Sequence, residues 1–218
     1  MKNLLRLFLF ILAFTLSFAQ AQDPLRFENE VKTLIANDGT IDKNDLILFT
    51  GSSTIRMWKD IQTYFPKYNV LNRGFGGSQM TDLVYYFDKL VLPYKPTQIF
   101  IYEGDNDLNA KKTTEEVLQK ADELLALIKT KLPKKTKVVF IGAKPSIARE
   151  ALRPQYEAFN KAFKEWTKKN KVTYVDVWTP MLNNDGTLMR DLFIEDGLHM
   201  NKKGYDIWGR VLAKYVGK

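Results

Sequence analysis

The sequence has no cysteine and a single histidine in 218 residues, and it is sparing in glycine (12) and proline (8). The lack of cysteine excludes disulfide bonds, a thiol nucleophile, iron–sulfur clusters and zinc sites with cysteine ligands. With one histidine, any imidazole base acting near neutral pH must be His199. The chain is nevertheless 45% hydrophobic and 27% charged, so it can bury a core, and its length suits one domain.

A long hydrophobic run occurs only at the amino terminus. Two basic residues precede the apolar run at 7–18, and Ala19 and Ala21 supply the small residues that a signal peptidase accepts. The run is shorter than the ~20 apolar residues that span a bilayer, which favours a signal peptide over a retained anchor. We predict a signal peptide at 1–21 and a mature domain at 22–218. That domain is expected to be secreted or periplasmic, without stable membrane association.

Positive charge is in mild excess. Loss of residues 1–21 removes two basic residues and no acid, which lowers the formal charge from +8 to +6. The lysines at 129–137 and 161–171 alternate with acidic or apolar residues, and no reading element or aromatic platform accompanies them. This pattern is typical of solvated helix faces. We therefore expect no nucleic-acid partner.

Short β-rich apolar runs alternate with longer stretches of helical periodicity, as in an α/β protein with a parallel sheet and crossover helices. The runs are almost continuously apolar, which indicates that helices cover both faces of the sheet. Five strands are predicted, at 46–50, 69–71, 98–102, 137–141 and 172–176.

Three helices are marked by caps or apolar stripes. A capping box of Thr113 and Glu116 begins a helix that stops near Pro133. A closing helix follows Asn201, a predicted N-cap. Between them lies a helix whose aromatic stripe we interpret as core packing rather than a cofactor site, formed by Tyr156, Phe159, Phe163 and Trp166. No repeat or linker indicates a second domain.

Polar segments follow the predicted strands directly. They lie at 51–54, 72–78 and 103–107, and a fourth, 196–199, follows the long irregular stretch after the last strand. Ligands of open α/β sheets bind outside the carboxyl ends of the strands, so these segments are expected to converge there.

One histidine, one carboxylate and one hydroxyl in these segments could form a proton relay. Asp196 lies three residues before His199, close enough to orient the ring through one nitrogen and leave the other free. Ser53 is the best placed hydroxyl to use that free nitrogen, because it sits at a strand-to-helix junction whose dipole favours developing negative charge. The pattern predicts Ser53 as nucleophile, His199 as base and Asp196 as the orienting carboxylate. A lone histidine without a catalytic role is the alternative interpretation.

A tetrahedral intermediate needs hydrogen-bond donors for its oxyanion. The glycine-rich segment brings a bare backbone N–H to the site at Gly77, and the side-chain amide of Asn106 can donate from the next strand end. The backbone N–H of Ser53 would be a third donor. Taken singly, these residues could equally be ordinary turn residues.

This ordered set resembles the SGNH/GDSL-type acyl hydrolases over essentially the whole mature chain. The resemblance identifies Ser53 as the nucleophile, Gly77 as an oxyanion donor with Gly74 as its nearest competitor, and Asn106 as the second residue of the hole. The matching blocks are Gly51-Ser52-Ser53-Thr54, Asn72 to Gly77, Gly104-Asp105-Asn106-Asp107 and Asp196-Gly197-Leu198-His199. Each block is short, but four in order at strand ends are a strong pattern.

The resemblance implies a flavodoxin-like three-layer sandwich with a five-stranded parallel sheet in the order 2-1-3-4-5. It also implies esterase, lipase or carbohydrate deacetylase activity through an acyl-enzyme, with no cofactor and no metal. Compact members act on short acyl groups, so we expect hydrolysis of short, chiefly acetyl, esters of small molecules or saccharides. Ser52 stands where the family has aspartate, which removes a carboxylate that could support the loop.

Three other functions are compatible with parts of the pattern. A flavodoxin-like module could bind phosphate or flavin at 50–54. A pseudoenzyme could retain the fold as a glycan-binding domain. A metal-dependent phosphoesterase could use oxygen and nitrogen ligands from Glu103, Asp105, Asp107, Asp196 and His199.

Overall fold

The computed structural model describes residues 23–36, 38 and 41–218. The predicted signal peptide and its cleavage site lie outside the described residues. Within those ranges, no helix combines the length and the apolar character needed to cross a membrane.

The sheet has five parallel strands in the order β2-β1-β3-β4-β5, which confirms the predicted flavodoxin-like three-layer α/β sandwich. Each strand pairs with its neighbours along most of its length, and the first and third strands in the chain are buried throughout, as expected for central strands covered on both faces. The strands are β1 (Ile47–Gly51), β2 (Val70–Gly74), β3 (Gln98–Tyr102), β4 (Lys137–Ile141) and β5 (Thr173–Val175).

The second strand is longer than predicted. The sequence indicated 69–71, but β2 continues to Gly74, where it pairs with Gly51 at the end of β1. Backbone pairing does not require apolar side chains, and the Thr50 hydroxyl also donates to the Arg73 carbonyl at 3.0 Å. The first residues of the glycine-rich block are therefore strand rather than loop.

Helices cover both faces of the sheet, and the three predicted from caps and stripes are present. Thr113 and Glu116 form the capping box of the sixth helix, and the Asn201 side chain accepts from two backbone N–H groups of the last. The helix after β2 was not predicted individually. The helices are α1 (Glu28–Ala36), α2 (Ser53–Arg56), α3 (Ile61–Tyr64), α4 (Met80–Leu90), α5 (Asp105–Asn109), α6 (Thr114–Lys131), α7 (Arg153–Asn170) and α8 (Lys202–Leu212).

The sheet separates two hydrophobic clusters, because successive residues of a strand point to opposite faces. Ile99 and Ile101 of β3 pack with α4, α6 and α7, whereas Phe100 and Tyr102 pack on the side of α8. Trp58, just after α2, is fully buried in the second cluster and contacts Trp208. The predicted aromatic stripe of α7 lies in the first cluster. Each face of the sheet is therefore packed against its own layer of helices.

Candidate active site

Ser53 is the first residue of α2 and follows a sharp turn at the end of β1. The turn requires Gly51, which has φ +127° and whose hypothetical Cβ would lie deep inside van der Waals contact with the Tyr102 carbonyl. Ser53 is almost buried, with 9% of its surface exposed. The turn thus presents the hydroxyl at the carboxyl end of the sheet with the amino end of α2 behind it.

The short helix α2 is held by side chains from elsewhere in the fold. The Asn72 amide donates to the carbonyls of Ile55 and Trp58, at 2.6 and 3.1 Å, and the Tyr205 hydroxyl donates to the Thr54 carbonyl at 2.9 Å. These bonds add side-chain support to the backbone bonds of a helix that is only four residues long. The loop is thereby supported without a carboxylate at position 52, where the Ser52 N–H donates to the Tyr102 carbonyl at 3.1 Å.

The structure brings the three residues of the predicted relay together. His199 Nε2 lies 2.9 Å from Ser53 Oγ, although the two residues are 146 positions apart in the chain. On the other side of the ring, His199 Nδ1 lies 2.6 Å from Asp196 Oδ2. Both distances are within hydrogen-bonding range. The imidazole therefore bridges the hydroxyl and the carboxylate.

Asp196 is held by the turn that it begins. Its Oδ1 accepts the backbone N–H groups of Leu198 and His199, at 2.8 and 2.9 Å, which leaves Oδ2 for the ring. Partial burial acts to raise the pKa of Asp196, but these hydrogen bonds and that from the ring outweigh it and lower the pKa to about 2. The carboxylate is therefore ionised at neutral pH.

Three candidate oxyanion donors lie at adjacent strand ends. A Cβ on Gly77 would be 3.8 Å from Asn106 Nδ2, so that backbone and that amide are neighbours. Among the described residues, the N–H groups of Ser53 and Gly77 donate to no other group of the protein. The N–H of Gly74 donates to Asn72 Oδ1 at 2.9 Å and belongs to β2. The geometry therefore favours Gly77 over Gly74 as a donor to a ligand.

The Asn106 side chain has a partner on each side of its amide. Nδ2 donates to the Ser78 carbonyl at 2.9 Å, and Oδ1 accepts from Arg149 Nη2 at 2.8 Å. Nδ2 carries two hydrogens, so one of them remains available for a second hydrogen bond after the bond to the Ser78 carbonyl.

Two cations near the site, the buried Lys144 and the partly buried Arg149, were missed by the sequence analysis. Arg149 contacts Asp105 as well as Asn106, and Lys144 Nζ donates to the Leu198 carbonyl at 2.6 Å. Burial lowers the pKa of Lys144 to about 8, although the Asp105 charge opposes the shift. Lys144 thereby links the end of β4 to the loop that carries His199. Both cations follow β4, the one strand for which the sequence predicted no polar segment at the carboxyl end.

The carboxylates of the third block have other partners. Glu103 Oε1 accepts from the Ser78 hydroxyl at 2.6 Å, and burial raises the Glu103 pKa well above its usual range. Asp107 accepts the Met80 N–H at 3.1 Å and Lys112 Nζ at 3.0 Å, so it caps α4. Within residues 23–36, 38 and 41–218, no three histidine, aspartate or glutamate side chains are grouped to hold a metal ion.

These contacts join a hydroxyl to a base, and the candidate N–H donors follow β2 and β3, the two strands that neighbour β1. Such an arrangement can deprotonate a serine hydroxyl and stabilise the oxyanion that forms when it adds to a carbonyl. Arg56 and Trp58, which follow Ser53 closely in the chain, make their contacts elsewhere. Arg56 lies 3.5 Å from Glu30, and Trp58 is in the core.

Comparisons with known proteins agree with this geometry. The sequence profile of the GDSL-like Lipase/Acylhydrolase family matches residues 48–207, a range that includes all four polar blocks. No significant sequence match to a curated protein was found.

Solved structures with this fold include several hydrolases of low sequence identity. A GDSL-like lipase from Bacteroides thetaiotaomicron superposes with a TM-score of 0.70 at 20% identity, covering 88% of this chain and 96% of its own. An acetylxylan esterase from Geobacillus stearothermophilus gives 0.67 at 17% identity, with coverages of 82% and 96%. A proposed platelet activating factor from Streptococcus pneumonia gives 0.75 at 20% identity, with coverages of 87% and 91%. At these identities the similarity shows the shared fold.

Proposed function

The chain belongs to the GDSL-like lipase/acylhydrolase family, and on that basis we propose that it is a serine esterase whose nucleophile is Ser53. One observation carries the proposal. The sole imidazole lies 2.9 Å from Ser53 Oγ and 2.6 Å from Asp196 Oδ2, on opposite nitrogens of the same ring. A serine whose proton can pass directly to an oriented base is the recurring arrangement of acyl-transfer hydrolases.

In the first half of the proposed reaction, Ser53 Oγ attacks the ester carbonyl as its proton moves to His199 Nε2. Asp196 keeps the proton of the ring on Nδ1 and stabilises the imidazolium. The oxyanion of the tetrahedral intermediate accepts hydrogen bonds from the N–H groups of Ser53 and Gly77 and from Asn106 Nδ2. As the intermediate collapses, the C–O bond to the alcohol breaks, and His199 gives its proton to the departing oxygen.

In the second half, water hydrolyses the acyl-enzyme. His199 takes a proton from the attacking water, the same donors hold the second oxyanion, and collapse releases the carboxylic acid and returns the proton to Ser53 Oγ. Both halves use the same residues, which agrees with a site containing one imidazole.

For the substrate, we propose short acyl esters, with acetyl groups on saccharides as the leading class. The acetylxylan esterase that shares this fold supports a carbohydrate alcohol. The near-burial of Ser53 at a tight strand-to-helix turn supports a small acyl group. These two features favour acetylated sugars over long-chain lipids.

The nucleophile is tested with two adjacent serines. Hydrolysis of p-nitrophenyl acetate should fall by at least about 10³-fold in Ser53→Ala and in His199→Ala. Ser52→Ala is the matched control, because that hydroxyl is also buried but its backbone N–H, not its side chain, makes the observed bond. It should retain activity within a few-fold. Full activity in Ser53→Ala would mean that another group is the nucleophile.

A serine-directed phosphonate gives an independent readout. After incubation with the wild-type protein, mass spectrometry of peptides should find one adduct, on Ser53. Labelling should disappear in Ser53→Ala and persist in Ser52→Ala. An adduct on a different residue would contradict the proposed site.

The substrate class is tested by comparison of kcat/KM values. Acetylated xylo-oligosaccharides and p-nitrophenyl acetate should be hydrolysed faster than p-nitrophenyl octanoate and lysophospholipid. A preference for the longer acyl chains would retain the serine mechanism but reject the proposed substrate class.

A further inference from the structure

We propose that Arg149 is a positioning residue that fixes the Asn106 side chain with its N–H toward the oxyanion. The proposal rests on the proposed function of Asn106 as an oxyanion donor. Arg149 does not itself contact Ser53 or His199 in the structure; its contacts are with Asp105, Asn106 and Tyr156.

A primary amide can face a site with either its oxygen or its nitrogen, and only the nitrogen can stabilise an oxyanion. Here both neighbours of the Asn106 amide select the same orientation. The Arg149 guanidinium can only donate, so it takes Oδ1, and the Ser78 carbonyl can only accept, so it takes Nδ2. A rotation of the amide by half a turn would place donor against donor and acceptor against acceptor.

The guanidinium is itself held rigidly. Its Nη1 pairs with Asp105 Oδ1, and its Nη2 reaches Asn106, so the two ends of one planar fork serve two neighbouring residues. The Tyr156 hydroxyl completes the network: it accepts from Arg149 Nη1 at 3.3 Å and lies 2.7 Å from both the carbonyl and a carboxylate oxygen of Asp105, to which its one hydrogen can donate. The Arg149 side chain is 9% exposed. The guanidinium is therefore held by contacts within the domain and is largely shielded from solvent.

The charge of Arg149 has a second effect on the amide. Burial disfavours the charged form, but Asp105 outweighs burial and holds the pKa of Arg149 above its usual range, so the group stays charged. A cation at Oδ1 draws electron density from the amide and strengthens Nδ2 as a donor. Lysine in the same place would keep a charge but could not span both partners with fixed geometry.

Kinetics of Arg149→Lys and Arg149→Gln test this role. For p-nitrophenyl acetate we expect kcat to fall about 10- to 100-fold, less than the ~10²–10³-fold typical for removal of an oxyanion donor, with KM within about 3-fold. Arg153→Lys is the matched control. Arg153 belongs to the same segment, but it pairs with Glu157 and lies over Trp178. Its variant should retain wild-type kcat.

A double-mutant cycle separates positioning from a general structural effect. If Arg149 acts through Asn106, Arg149→Lys should cause little further loss of kcat in an Asn106→Ala background. An equal further loss there would overturn the positioning role and leave the proposed function intact. Wild-type kcat in Asn106→Ala alone would instead reject Asn106 as an oxyanion donor, which is a failure of the proposed function.

A measurement on the wild-type protein covers the case in which Arg149 variants fail to fold. In a crystal structure of the Ser53 phosphonate adduct, Asn106 Nδ2 should lie within hydrogen-bonding distance of the phosphonyl oxygen, with Oδ1 still on Arg149. An adduct with Arg149 separated from Asn106, or with the amide turned away from the phosphonyl oxygen, would contradict the proposal.

Discussion

Asp196 divides its two carboxylate oxygens between the backbone and the imidazole. One oxygen caps the turn through the N–H groups of Leu198 and His199, and the other meets His199 Nδ1. The turn therefore brings the carboxylate to the ring through bonds within four consecutive residues. This explains why a spacing of three residues is sufficient to predict the contact between the carboxylate and the ring.

We expect Asp196→Asn to reduce kcat for p-nitrophenyl acetate by roughly 10³- to 10⁴-fold. The amide oxygen can keep the bonds to the backbone, so the amide nitrogen would face the ring and place the ring proton on Nε2. In that tautomer, Nε2 cannot accept the proton of Ser53. Steady-state kinetics with a circular dichroism control for folding measure the effect. A loss smaller than 10-fold would mean that Asp196 does not set the tautomer.

The same carboxylate should contribute to acid stability. Its pKa in the folded protein is about 2, below the ordinary 3.8, so its stabilisation is present above pH 4 and disappears as the pH falls through 2. Because the side chain is 44% exposed, we discount the contribution to about 1 kcal/mol. Urea unfolding between pH 6 and 2 should show the wild type and Asp196→Asn converging in stability at the acid end. A constant difference across that range would contradict this origin.

The sequence analysis identified the site residues whose side chains are common catalytic groups: a serine, a histidine, a carboxylate and a carboxamide. It did not identify Arg149 and Lys144. The reason is physical. Arg149 reaches Asn106 across 43 positions, and its contact depends on how the segment after β4 folds over the sheet. No periodicity or residue spacing in the sequence predicts the course of that segment. The one local signal is that both cations follow the carboxyl end of a strand, as the other residues of the site do.

At the scale of elements, the junction of β1 and α2 depends on a residue without a side chain. We expect Gly51→Ala to reduce the free energy of unfolding by about 2–4 kcal/mol, because the methyl group meets the Tyr102 carbonyl and φ is +127°. Gly186→Ala is the matched control, since that glycine also has positive φ but nothing lies within 4 Å of a Cβ. Gly186→Ala should lower the free energy of unfolding by about 1 kcal/mol, because only the backbone conformation is strained. Chemical denaturation measures both, and equal costs would show that the contact is not the cause.

Elements with local signals were predicted better than those without. Thr113 and Glu116 fixed the start of α6 because a capping box is formed by residues three apart. The extension of β2 to Gly74 comes instead from pairing with β1, which no property of Asn72 or Arg73 reveals. α4 begins after Gln79, whose N–H donates to Asp82 Oδ2 at 2.8 Å, and glutamine is not among the residues that usually mark an N-cap in a sequence.

For the whole molecule, the alternation of strands and helices was sufficient to predict the parallel sheet. The strand order was expected from the family resemblance rather than from periodicity, and the structure confirms it. That order places the ends of β1, β2 and β3 side by side, so the first three polar blocks meet at one edge. The fourth block arrives through a long irregular stretch, and it is held there by the bond from Lys144 to the Leu198 carbonyl.

The chain just after the predicted cleavage site is packed on the domain. Arg26 pairs with Asp82, Phe27 packs edge-to-face on Phe75 at 5.3 Å, and the Pro24 carbonyl accepts from the Tyr86 hydroxyl. Cleavage after Ala21 would therefore leave every one of these contacts intact. We expect the exported protein to be as stable and as active as the uncleaved chain.

Expression of the full sequence in a Gram-negative host tests this expectation. The protein should be recovered from the periplasm with Gln22 as its first residue, as determined by intact mass and N-terminal sequencing. Ala21→Arg should block processing, because the peptidase requires a small residue before the cleaved bond. The blocked protein should remain associated with the membrane fraction through its apolar run. Recovery of unprocessed wild-type protein from the cytoplasm would reject both the signal peptide and the extracytoplasmic location.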